Sequence, residues 1–218
     1  MKKIFIKKVL SASIVSFISL QTLYVAIVET STAVAASASD VVVVTLNVDA
    51  GISITDGANA TMTPNIGLTS NKSVGSSSWN VKTSSVTGYT LAVKAFTSPA
   101  LKNGSIDSFN DYTPVGGVPD LWGGVASGTK EFGFSAYGTH ALADFGSPVN
   151  CGNTSSGVPD ASAKYQGFST SDYTIATSST VTTTAGVVTN ICFAAEQNGT
   201  YAASGVYTAT ITATASTI

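Results

Sequence analysis

DVVVVTLNVDAGISI, residues 40–54, decides how the rest of the chain is read. In an extended chain Val42, Val44, Leu46 and Val48 point one way, and Val41, Val43, Thr45, Asn47 and Asp49 point the other. Four successive valines favour a strand, because β-branched side chains are stiff about χ1 and suit a pleated surface. Both faces are apolar where the run begins, and only one farther on. Two readings follow. The run is the first strand of a β-sandwich, or it is a strand that completes another subunit's sheet.

The residues before it have the form of a secretory signal. Lys2, Lys3, Lys7 and Lys8 give a basic start, and residues 9–28 are mostly apolar though diluted by serine. Small-x-small sites follow at Ala33-Val34-Ala35 and Ala36-Ser37-Ala38. Removal of residues 1–38 is expected. Residues 39–218 then form one domain, with enough chain for a sizeable core and too little for two. The expected location is secreted or at the cell surface, with no membrane span in the mature chain. The leader has a bacterial look.

The whole chain has a formal net charge of −2, ten lysines and no arginine. The leader carries four of those lysines and one acid, Glu29, so the mature chain is more acidic still. A nucleic-acid surface needs a basic stripe and bidentate arginines, and this composition excludes it. An anionic membrane surface is excluded on the same ground. The chain is rich in Ser, Thr, Gly, Ala and Val and only 10 % charged. That is not the signature of disorder. It fits an all-β extracellular domain with a hydroxyl-rich surface.

The mature chain alternates repeatedly at period two. Residues 78–83 and 89–96, joined by a short link, read as a hairpin with Trp79, Val81, Tyr89, Leu91 and Val93 facing inward. Residues 130–137 place Phe132, Phe134 and Ala136 on one face. Residues 173–177, 180–184 and 187–196 are further strands, the last with Ile191, Phe193 and Ala195 inward. Residues 206–218 alternate almost without fault, with Tyr207, Ala209, Ile211, Ala213 and Ala215 on one side and Thr or Ser on the other. Residues 98–128 and 138–165 read as long loops, with Leu101 and Ile106 tucked beneath the first. No long stretch has helical periodicity. The expected fold is a single, Ig-like antiparallel β-sandwich with long loops.

Cys151 and Cys192 are the only cysteines, and in an exported protein they are expected to pair. The bond would staple a loop to a strand. No C-x-x-C is present and His140 is the only histidine, so no metal or other cofactor is expected. The chain has no G-x-S-x-G elbow, P-loop or G-x-G-x-x-G, and it is read as a non-enzyme. His140 reads as an exposed loop residue. One loop could hold a ligand: Asp107, Asp111 and Asp120 offer oxygens of the kind calcium takes, and Trp122 could stack on a sugar.

Three stretches carry a family resemblance. TLNVDAGI, residues 45–52, resembles the first strand of donor-strand fimbrial subunits of the alpha-fimbrial, colonisation-factor type. GVYTATIT, residues 205–212, is similar to the closing strand of those fimbrins and of WxL-type bacterial surface domains. WNVKTSSVTGYTLAV, residues 79–93, resembles the WxL pattern, although a true Trp-x-Leu is absent. The resemblance implies an exported Ig-like sandwich and assembly into a pilus. The expected function is therefore a structural or adhesive surface subunit. Val42, Val44, Leu46 and Val48 would fill the open groove of a second copy or of another surface protein. The alternative is a monomeric glycan- or calcium-binding module that uses residues 107–122.

Overall fold

The computed structural model describes residues 41–55 and 57–218, so the expected signal at residues 1–38 lies outside the described residues. Residues 47–218 form one compact unit. Its strands in chain order are β1 (Ile52–Thr55), β2 (Lys72–Thr83), β3 (Tyr89–Ala95), β4 (Leu101–Asn103), β5 (Asp107–Asp111), β6 (Asp120–Leu121), β7 (Thr129–Tyr137), β8 (Lys164–Gly167), β9 (Tyr173–Ser178), β10 (Val187–Asn198) and β11 (Ile211–Thr217). The only helical elements among the described residues are two single 3-10 turns, at Val115–Gly117 and Ala143–Phe145.

The strands form two packed sheets, an all-β sandwich. The larger runs β1-β2-β10-β7-β5-β4, with β8 added to β7 and β6 to β8. The smaller is β11-β3-β9. All pairings are antiparallel except the short β5–β7 contact, where Asn110 lies opposite Glu131. Alternation built this arrangement. Leu91, Val93 and Ile175 of the small sheet face Val81, Phe132, Phe134 and Ile191 of the large one, and all are buried. Phe145 and Phe168 plug the same core, with the Phe168 ring 4.4 Å from that of Phe134.

The hairpin expected from residues 78–83 and 89–96 does not form. β2 pairs with β1 and β10, whereas β3 pairs with β11 and β9, so the link between them crosses from sheet to sheet. Alternation shows which face of a strand is apolar but not which strand lies beside it. Gly88 makes the crossing feasible. Its φ is +82°, and a Cβ there would lie 1.9 Å from the Ser178 carbonyl oxygen. Residues 180–184 form no strand, and residues 98–128 contain three short ones. Leu101 is buried as expected, but Ile106 is exposed on the β4–β5 turn.

β10 is buried on both faces. Ile191, Phe193 and Ala195 enter the sandwich core, while Cys192, Ala194 and Glu196 point to the far side of the large sheet. The second long loop covers that far side. Ala163 and Tyr165 pack there with Val74, Tyr112 and Trp122. The expected disulfide is present: Cys151 in the loop joins Cys192 in β10, with Cα atoms 5.1 Å apart. A further layer, built largely from loop, therefore covers part of the outer face of the larger sheet.

Closing a loop of 41 residues contributes about 4 kcal/mol by chain entropy. Replacing both Cys151 and Cys192 by serine is expected to lower unfolding stability by about that amount. Phe134→Ala, at the centre of the sandwich core, is expected to cost about 3–5 kcal/mol. Denaturant titration with matched m-values checks both, and a loss below about 1 kcal/mol for Phe134→Ala would contradict the packing described.

Candidate functional site

The decisive run enters the fold only at its end. No residue from 41 to 50 lies in a strand, and β1 begins at Ile52. Val42, Val44, Leu46 and Val48 are 80, 86, 82 and 76 % exposed. The reading of the run as the sandwich's own first strand is thus corrected to the last few residues. The reason lies in its partner. Ser84 closes the β1–β2 ladder: its N–H donates to the Gly51 carbonyl at 3.0 Å, and its hydroxyl accepts from the Gly51 N–H at 2.8 Å. The same hydroxyl donates to the Asp49 carbonyl at 3.1 Å. Beyond Ser84 the chain leaves for the other sheet, and the β1–β2 ladder ends at Ile52–Thr83.

An open edge stands at the other end of the sequence. β11 pairs with β3 alone. Phe96 N–H donates to Thr210 C=O at 2.9 Å and Ile218 N–H to Gly88 C=O at 3.4 Å, which sets the even-numbered residues against β3. In an antiparallel ladder the alternate residues direct their amides the other way. The N–H and C=O groups of Ile211, Ala213, Ala215 and Thr217 therefore face an edge that no strand of the described residues occupies. Ile211, Ala213 and Ala215 also point toward the core and remain only half-buried. β1 mirrors this, pairing with β2 alone and holding Ile52 and Ile54 half-buried against the same core. Some β1 and β11 Cα atoms lie within 8 Å of each other, so the two free edges flank one side of the sandwich.

The residues expected to form a ligand loop are occupied within the fold. Asp107 accepts from Lys130 Nζ, from the Tyr207 hydroxyl at 2.6 Å and from the Ala203 N–H at 2.8 Å. Asp111 accepts from the Ser98 hydroxyl at 2.6 Å and the Ala100 N–H at 2.9 Å. Asp120 accepts from the Tyr112 hydroxyl at 2.5 Å and the Val115 N–H at 2.7 Å. Trp122 stacks on Tyr112 at 4.7 Å and donates its indole N–H to Glu196 at 2.7 Å, a carboxylate that also meets Lys72 at 3.3 Å. The three acids serve three separate networks. Among the described residues no group of three His, Cys, Asp or Glu side chains could hold a metal. His140 is half-buried rather than exposed, with Nδ1 3.1 Å from the Tyr89 hydroxyl, and Asp144 is solvent-exposed.

Electrostatics support a structural role for these groups. Burial alone would raise the Asp107 carboxyl. The Lys130 ammonium, the Tyr207 hydroxyl and the N–H groups of Ala203 and Ser108 outweigh it and hold the group well below the usual carboxylate range. Burial and then Asp107 push Tyr207 up to about 12. Burial, followed by Asp120, raises Tyr112. Burial, followed by the nearby Glu196, raises Glu131. Tyr207 and its contact with Asp107 tie the start of the β11 run to the β4–β5 hairpin.

No protein-family model, curated protein or solved structure matches this chain. Among the described residues, no helix is long and apolar enough to cross a membrane.

Two outcomes are expected at these residues. A depressed carboxyl adds stability above its unfolded pKa, near about 3.9, and loses it as pH falls. The gap in stability between wild type and Asp107→Asn should therefore be wide at pH 7 and narrow at about pH 2, read by urea midpoints; an equal gap at both would contradict the network. Trp122→Ala leaves a buried carboxylate short of a donor and should lower stability by about 1–3 kcal/mol, measured the same way.

Proposed function

We propose that the mature chain is an exported surface subunit, structural or adhesive, that assembles by β-strand addition. The donor is the apolar run containing Val42, Val44, Leu46 and Val48. The acceptor is the free edge of β11 in a second copy. Main-chain hydrogen bonds to Ile211, Ala213, Ala215 and Thr217 would supply affinity, and the alternate donor side chains would fill the half-open side of the core. One observation carries this reading: a strongly strand-forming apolar segment outside both sheets occurs in the same chain as an unpaired edge with half-buried inward residues. Each is an aggregation hazard alone, and pairing them removes both. A cell-surface location follows from the same picture, since the signal-like leader, the disulfide and the hydroxyl-rich surface all suit an oxidising exterior.

The test is the mass of purified residues 39–218 by size exclusion with light scattering, followed by negative-stain imaging. Oligomers or filaments are expected from the wild type. Val44→Lys with Leu46→Lys should give a folded monomer with unchanged circular dichroism, because neither residue belongs to the sandwich. A wild type that stays monomeric at high concentration would overturn the proposal.

A further inference from the structure

Two asparagines in the chain precede a glycine, at Asn103-Gly104 and Asn198-Gly199. Such a step is chemically labile, because glycine has no side chain to hinder its amide nitrogen from closing on the asparagine. The fold holds the two steps differently. We propose that Asn103 is a site of spontaneous deamidation, and that its product releases residues 203–208 from the β4–β5 turn. The Gly104 amide nitrogen gives up its proton and bonds to Asn103 Cγ. The Cγ–Nδ2 bond breaks, and Nδ2 leaves as ammonia with that proton. Water then opens the succinimide at either carbonyl, giving aspartate or isoaspartate at position 103.

Ring closure needs a side chain that can turn and a glycine that can move. Asn103 ends β4, and Gly104, Ser105 and Ile106 form the exposed turn that follows. Gly104 has a φ of +53°, and a Cβ there would meet nothing within 4 Å. The Asn103 amide donates only to the Ser204 carbonyl, a long and weak bond of 3.5 Å. Asn198 is held far more firmly. Its amide donates to the Val125 carbonyl at 2.7 Å, and its own carbonyl accepts from the Gly128 N–H at 2.7 Å. It pairs with Thr129 in the β10–β7 ladder, and a Cβ at Gly199 would lie 2.9 Å from Ser127 Oγ. Asn198 is the more exposed of the two. Freedom to move, not access to water, therefore separates them.

The product carries a charge where the fold uses a donor. Asn103 Nδ2 abuts Gly205, where a Cβ would lie only 2.2 Å from it. A carboxylate at 103 turns an oxygen toward the Ser204 carbonyl. It also sets a negative charge opposite Asp107 across the hairpin, and like charges directly opposite destabilise a pair of strands. Isoaspartate further lengthens the main chain by a methylene beside Lys102. The Lys102 N–H and C=O both bond Thr208, at 3.1 and 3.0 Å. Those two bonds, with the Ala203 N–H on Asp107, are what hold residues 203–208 to the turn.

Folded, oxidised residues 39–218 are incubated at neutral pH, then reduced, cut with trypsin and mapped by mass spectrometry. The chain has no arginine, so Asn103 begins the peptide 103–130 and Asn198 falls in 165–218. Reaction at Asn198 must wait for the end of β10 to open, so Asn103 should convert at least about tenfold faster. Gly104→Ala should slow that conversion. Hydrogen exchange reads the consequence: Asn103→Asp should speed exchange of the Ala203 and Thr208 amides by at least about tenfold, while the Phe134 and Ile191 amides keep their protection. Faster conversion at Asn198 would overturn the site. So would an intact Asn103 amide after an unstructured peptide of the same sequence has converted. Unchanged exchange at Ala203 and Thr208 in Asn103→Asp would overturn the release.

Discussion

One strand has to be buried twice. β10 pairs with β2 on one side and β7 on the other, so it is central in its sheet, and from Ile191 to Gln197 no side chain reaches solvent freely. A sandwich covers only one face of each sheet. The alternate residues Cys192, Ala194 and Glu196 must be covered by something else, and Ala163 of the long loop with the adjoining Tyr165 of β8 does so. The disulfide, the Trp122–Glu196 hydrogen bond and the Glu196–Lys72 ion pair all serve this second burial. Glu196 is tolerated under the loop because it has both a donor and a counter-charge.

The two sheets differ in how their margins are finished. The large sheet is extended beyond β7 by the short strands β4, β5, β6 and β8. The small sheet has three strands and ends abruptly at β11. Natural sheets blunt a free edge with charge, proline or a bulge. β11 has none of these in Ile211–Thr217, and its surface-facing residues are Thr212, Thr214 and Ser216. An unprotected edge of this kind, with half-buried residues behind it, is what strand addition requires.

Legibility in the sequence followed the period-two signal closely. The inward faces of β7, β10 and the β11 run could be read directly, because strict alternation assigns a side to every residue. The disulfide was legible from the signal-like leader and the cysteine number. Neighbours in space were not. The residues 84–88 link joins two convincing strands, and nothing in its sequence distinguishes a hairpin from a crossing between sheets. The short strands of residues 98–128 were hidden by turn residues. The sequence also could not show that Asp107, Asp111 and Asp120 serve separate networks, since acidic residues in a loop look alike until their donors are placed. The β11 edge was missed for a related reason: a free edge is defined by a strand that is not there, and only the assembled sheet reveals it.

The disulfide connects the outer loop layer to the large sheet, and no disulfide joins the two sheets to each other. Sandwich and outer layer are therefore separable in principle. In a reducing medium the stretch around Cys151 loses its anchor while β10 keeps its hydrogen bonds to β2 and β7. A protease would then cut first among residues 138–165, leaving a nicked chain whose halves remain associated through the core. Oxidation thus acts as a seal against digestion as much as a contribution to folding.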